Sequence, residues 1–176
     1  MRFHFCKGKF DQVLSRAELA SRGGEDSASL QAIVGLASAL LGQEEDAVAK
    51  LDAAAKAHPA NTIIIGALGY AYAVSGREAR AREVLAELKK RHVPERACCA
   101  YALALVSMGL VDADSTLHWL EEAYRNRSIW ILTLALDPVF LSLRQNSRFQ
   151  ALLDQLLLPT KMLPGFGAVA GGSSPP

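Results

Sequence analysis

From Ser27 to Pro94 the apolar residues recur with helical spacing, and the whole stretch is written twice. Over Ser29–Leu41, Leu30, Ile33, Val34, Ala37 and Leu41 share one face; over Glu44–Ala57, Ala47, Val48, Leu51 and Ala54 share another. Gly42 separates the two segments with a residue that tolerates positive φ at a helix end. Ser27 or Ser29 is placed to cap the first, Glu44, Glu45 and Asp46 suit the dipole of the second, and His58-Pro59 ends it. The same design returns as a helix over Thr62–Ser75 with Ile65, Leu68, Gly69 and Tyr72 inward, a turn at Gly76, and a helix over Glu78–Arg91 with Ala81, Leu85 and Leu88 inward. Gly35 recurs as Gly69, Gly42 as Gly76, Ala47 as Ala81 and Leu51 as Leu85, each step being 34 residues; Pro59 recurs one residue late as Pro94. Gly35 falls where the helices of a pair cross closest.

The flanks follow the same rhythm less faithfully. Gly8 stands 34 residues before Gly42, so Lys9–Ala20 reads as the second helix of an earlier pair, after a turn, with Phe10, Val13, Leu14, Ala17 and Ala20 on one face. Met1–Cys6 is too short to form the whole first helix of that pair. A repeat buries its apolar faces against its neighbours, so this edge is expected to continue a longer array or to pair with a second copy, the alternative being that Phe3 and Phe5 fold over it. Residues 23–26 read as a turn. A third pair is worn: Glu95–Met108 keeps Ala100, Leu103, Ala104 and Ser107 in rhythm, Gly109-Leu110-Val111-Asp112 makes a turn one or two residues longer, and Asp114–Asn126 follows with Thr116 and Leu120 in the places of Ala47 and Leu51. Leu117 and Ala123 also face inward there, and Trp119 in part. Residues 128–158 leave the period. They read as a short helix Ile129–Leu136, a break at Asp137-Pro138, a turn through Leu143 and a last helix Ser147–Leu157, together a cap on the array. Residues 159–176, rich in Gly, Pro and Ser, read as a loose tail. The units are therefore 1–22, a partial leading repeat; 27–60, 61–94 and 95–127, three repeats; 128–158, the cap; and 159–176, the tail.

Composition narrows the function classes. Apolar residues make up half of the 176 and charged residues about a fifth, with Ala and Leu dominant, which predicts an all-helical domain. A net charge of +1 gives no basic field to draw nucleic acid or an acidic membrane. The three cysteines, Cys6, Cys98 and Cys99, do not make a disulfide framework and suit a reducing compartment. Met1–Phe10 lacks the apolar run of a signal peptide, and Ile129–Leu136 is far too short to span a bilayer.

On these spacings, Ser27–Arg127 resembles the tetratricopeptide repeat family. The resemblance implies an α-solenoid of antiparallel helix pairs in a right-handed superhelix, closed by a C-terminal capping helix. The Trp usual near the start of the first helix is replaced by Gln31, Ile65 and Ala100. The ending, Leu136-Asp137-Pro138-Val139-Phe140-Leu141-Ser142-Leu143-Arg144-Gln145-Asn146-Ser147-Arg148-Phe149-Gln150-Ala151-Leu152-Leu153, resembles the closing segment of repeat arrays in bacterial multidomain regulators. There such arrays sit behind winged-helix, nucleotide-cyclase or kinase domains. This implies a bacterial, cytoplasmic, regulatory interaction module. Its partner is expected to be a protein or peptide, with no direct nucleic-acid or membrane binding and with a homodimer through the N-terminal edge as one arrangement.

In such arrays the first helices line a concave groove, here Ile33, Leu36 and Leu40; Ile63, Tyr70 and Val74; and Cys98, Tyr101, Leu105 and Met108. In the branch of the family that grips chaperone tails this groove carries Lys, Asn and Arg. Apolar residues stand in those places here, so an apolar peptide or amphipathic helix is the expected ligand. Two alternatives remain at this stage: a groove filled by its own chain, and a groove occupied by the tail through Leu158, Met162, Leu163 and Phe166. Cys98 and Cys99, adjacent on a helix, point about 100° apart and read as structural thiols. His4 with Cys6, and His92 near Cys98, lack the ligand count of a zinc site. Asp112 with Asp114 lacks that of a calcium loop, and His118 beside Glu121 and Glu122 reads as a solvated face. With no phosphate loop and no nucleophile–base set, neither enzymatic activity nor a cofactor is expected.

Overall fold

A computed structural model describes Phe5 and residues 8–22, 27–93 and 99–156. The expectations for Met1–His4, Cys6, the turn at 23–26, Pro94 to Cys98 and the tail lie outside the described residues. Among the described residues every regular element is helical: α1 (Phe10–Arg22), α2 (Ala28–Leu40), α3 (Glu44–Ala57), α4 (Thr62–Val74), α5 (Glu78–Arg91), α6 (Ala100–Gly109) and α7 (Ala113–Arg125). Two 3₁₀ helices, Ile129–Leu136 and Pro138–Leu143, then lead to α8 (Ser147–Gln155). None is long and apolar enough to cross a membrane.

Side-chain caps start the helices by occupying amides that have no partner within the helix. Ser27 Oγ accepts from the Leu30 amide at 3.2 Å, and Asn61 Oδ1 from Ile63 and Ile64 at 3.1 and 3.2 Å. Asp112 Oδ1 accepts from Ser115 at 3.0 Å, and Asn146 from Arg148 at 2.9 Å. The bonds from Ser115 hold the Asp112 carboxyl below the usual carboxylate range. The helix ends share one closure, in which an amide reaches back over a residue in the left-handed region. Gln43 donates to Ser38 O at 2.9 Å, Arg77 to Tyr72 O at 2.8 Å and Asp112 to Ser107 O at 3.0 Å. The left-handed residues are Gly42 and Gly76, both at φ 75°, and then Val111 at φ 60°.

The third turn therefore corrects the sequence reading. Gly109 is not its turn residue but the last residue of α6. A Cβ on Gly109 would lie 2.8 Å from Ala73 Cβ and 3.1 Å from Tyr70 O, so this glycine permits close approach to α4. The left-handed position passes to Val111.

Short turns fold α2 on α3, α4 on α5 and α6 on α7. The first helix of each pair also packs on the first helix of the next, α2 on α4 and α4 on α6, while α3 meets α4, α5 meets α6 and α1 meets α2. Missing side chains set how close these contacts come. A Cβ on Gly35 would lie 2.2 Å from Leu51 Cγ, and one on Gly66 would lie 2.7 Å from Ala102 Cα. The α6 residues from Ala100 to Ser107 are all buried, as its place between α4, α5, α7 and the cap requires. Glu45 and Arg77 pair at 2.5 Å, and Arg91 Nη1 donates to Pro59 O at 2.8 Å, linking consecutive pairs at the surface.

The predicted short helix over Ile129–Leu136 is present as a 3₁₀ helix. The segment expected as a turn through Leu143 is a second one, with Pro138 in its first turn and Asp137 as its cap. Phe140, Phe149 and Leu153 bury this region against the array, and Arg148 reaches back from α8 to Glu121 at 3.1 Å and Asp114 at 3.4 Å on α7.

Candidate functional site

The first 3₁₀ helix has three residues per turn, so residues three apart eclipse, and from Ile129 to Leu134 its exposure repeats in threes. Ile131 and Leu134 are buried, Trp130 and Thr133 are half-buried, and Ile129 and Leu132 are 75% and 64% exposed. Its buried and half-buried faces close over the side chains of the paired helices. Ile33 and Leu36 from α2, Ile63 from α4, and Tyr101 and Leu105 from α6 meet Phe5, Trp130 and Asp137, leaving a void of only about 10 Å³.

One polar contact is built into this apolar contact zone. The Tyr101 hydroxyl donates to Asp137 Oδ2 at 2.5 Å, and the Val139 amide donates to Asp137 Oδ1 at 3.0 Å. Asp137 is 5% exposed, so these donors replace the water it loses. The Tyr101 ring lies 6.2 Å from Trp130 and meets Phe140 edge-on at 5.7 Å. Burial first, and then the Asp137 carboxylate, push the neighbouring Tyr70 hydroxyl up to about 12. Burial also lowers the Arg144 guanidinium, which donates to Ala135 O at 3.3 Å.

Of the expected groove residues, Ile33, Leu36, Ile63, Tyr70, Tyr101 and Leu105 are buried, while Leu40, Val74 and Met108 are half-buried against the core. Beside the closed strip the surface opens into a cleft of about 540 Å³. Its walls are Ser27, Ser29, Leu30 and Ile33 on one side and Ile129, Trp130, Leu132 and Thr133 on the other. Of the predicted groove residues that are described, only Ile33 lines it. Helical spacing turns Leu30 toward its own helix pair, and Ile129, Trp130 and Leu132 belong to the segment that leaves the repeat. The readable signal for them was the run Ile129-Trp130-Ile131-Leu132, which is apolar on every side and so must present some of its residues outward.

Among the described residues no ionisable group lines the cleft. What it offers is apolar surface, an indole edge and three hydroxyls. Elsewhere His118 is exposed and meets Trp119 edge-on at 4.8 Å, His92 meets the same indole edge-on at 5.3 Å, and the Cys99 thiol is buried. Among the described residues no three His, Cys, Asp or Glu side chains gather as metal ligands. The chain matches no protein-family model, no curated protein and no solved structure.

Proposed function

We propose that this protein is a non-catalytic interaction scaffold of the tetratricopeptide type, a right-handed α-solenoid that receives an apolar peptide or the apolar face of a partner helix. The repeated helix pairs, the left-handed turn closing each one, and the stacking of each first helix on the next support the solenoid reading. One observation carries the binding reading: a cleft of about 540 Å³ whose described walls are mainly apolar, rimmed by Ile129 and Leu132 with most of their surface in water. That volume falls within the roughly 300–1,000 Å³ typical of ligand pockets. Walls already held by the core lose little freedom on binding, which favours affinity.

The test is a titration with a synthetic amphipathic helix bearing Leu at i, i+3 and i+7, followed by fluorescence polarisation. Binding that is lost in Leu132→Glu and Ile129→Glu, with the far-ultraviolet spectrum unchanged, supports the reading. Binding indifferent to both substitutions rejects this cleft as the site. The second reading is a regulatory module of a bacterial, cytoplasmic multidomain regulator. It is favoured by the Asp137-Pro138 cap, whose carboxylate and Tyr101 partner tie the closing segment onto the array.

A further inference from the structure

We infer that the segment Leu157–Phe166 of this same chain is the resident occupant of the cleft and holds it closed to other ligands. Gln155 closes α8, and its carbonyl accepts from the Tyr124 hydroxyl at 3.3 Å. Tyr124 lies in the last turn of α7, where the Ser128 amide bonds back to Ala123 O at 2.9 Å. Ile129, the start of the cleft's second wall, is the next residue. The end of α8 is thus tied to the last turn of α7, which leads directly into that wall.

Reach and chemistry agree. Ten residues separate Leu156 from Phe166, and at most about 3.6 Å per residue gives a span of roughly 35 Å. Leu157, Leu158, Met162, Leu163 and Phe166 are apolar, and Lys161 is the sole charged side chain from 157 to 176. The apolar walls of the cleft suit that composition. Pro159 and Pro164 bring no amide that would need an acceptor there, and each fixes its own φ before docking. Proline-bearing extended segments dock on aromatic surfaces in this way, and Trp130 supplies one. A tether this short sets the local concentration in the millimolar range, so modest intrinsic affinity is enough. This regulation rests on the reading of the cleft as the binding surface.

The experiment compares the full chain with a chain ending at Leu158, and with the full-length double variant Met162→Ala, Phe166→Ala. All three retain α8. Deletion should raise the fluorescence of 1-anilinonaphthalene-8-sulfonate and move the Trp130 emission to longer wavelength. The double variant should reproduce both changes, and a synthetic 159–176 peptide added to the shortened chain should reverse them. Unchanged dye binding after deletion, with a normal far-ultraviolet spectrum, overturns the inference. So does dye exclusion that depends on protein concentration and tracks a dimer mass, which would assign the cover to a second copy. The amphipathic-helix titration separates the two claims. Equal binding by full and shortened chains removes the tail while keeping the cleft. A dye response without helix binding keeps the tail while removing the partner reading.

Discussion

Val111 shows what one residue can cost this fold. It holds the left-handed turn position that glycine occupies in the two preceding pairs, at φ 60°, with 85% of its surface exposed. That conformation crowds Cβ against the following carbonyl, at roughly 1–2 kcal/mol for an L residue, and the exposed side chain returns little. Val111→Gly should therefore raise stability by about 1 kcal/mol after the added freedom of the unfolded chain is subtracted. A melting temperature higher by about 2–4 °C would show it. Tyr101 is the opposite case. Tyr101→Phe keeps the ring packing but takes a donor from the buried Asp137 carboxylate, and should cost about 1–3 kcal/mol in urea unfolding. Tyr70 adds a dependence on pH. Its folded value of about 12 lies above the ordinary 10, so the fold favours the neutral phenol. That contribution is complete below pH 10 and is lost as pH rises from 10 towards 12, on the order of 2 kcal/mol in all. Tyr70→Phe should flatten this alkaline decline when stability is measured across that window.

At the scale of the element, the first 3₁₀ helix makes the clearest prediction because from Ile129 to Leu134 its burial repeats in threes. Leu134→Ala, at a position 1% exposed, should cost about 2–5 kcal/mol. Leu132→Ala, two residues earlier on the open face, should stay within about 0.5 kcal/mol. Equal losses in the two variants, compared by denaturant midpoints at constant slope, would refute the assigned register. This element also marks the limit of what the chain discloses unaided. The paired helices were legible from the 34-residue recurrence of Gly35, Gly42, Ala47 and Leu51, because a repeat states each contact more than once. Their ends were legible from Gly42, Gly76 and His58-Pro59. Gly109 misled because a turn and a close approach both call for glycine, and only the position of Ala73 distinguishes them. The groove face was readable from helical period, and filling by the chain itself stood as an alternative, but the residues that fill it were not readable. Phe5 and Trp130 reach Ile33 and Leu36 from opposite ends of the chain, and no local pattern encodes that meeting. The left-over cleft, walled by Leu30 and Leu132, depends on the same long-range placement.

For the whole molecule, the question is how far the helix pairs stand or fall together. Where units contact mainly their neighbours, stability is a sum of unit and interface contributions, and cooperativity rests on the interfaces. The α4–α6 contact is the central one, and Gly66 sits in it with Ala102 backbone 2.7 Å from where a Cβ would be. Backbone cannot step aside as a side-chain tip can, so Gly66→Ala must separate the two helices. The cost should be about 1–3 kcal/mol, and its character matters more than its size. Trp119 lies beyond this contact, whereas Trp130 packs on Ile33 and Ile63 before it, so in a Trp130→Phe background indole fluorescence follows the C-terminal half, whereas circular dichroism follows every helix. In that background the two urea transitions should coincide. In Gly66→Ala they should part, because the half before the contact and the half after it no longer unfold as one unit. Coincident transitions in the variant would mean that cooperativity passes by another route, through Phe5 and the ring at position 130 across the closed strip. Gly66→Ala combined with Trp130→Ala would then be the variant in which the halves separate.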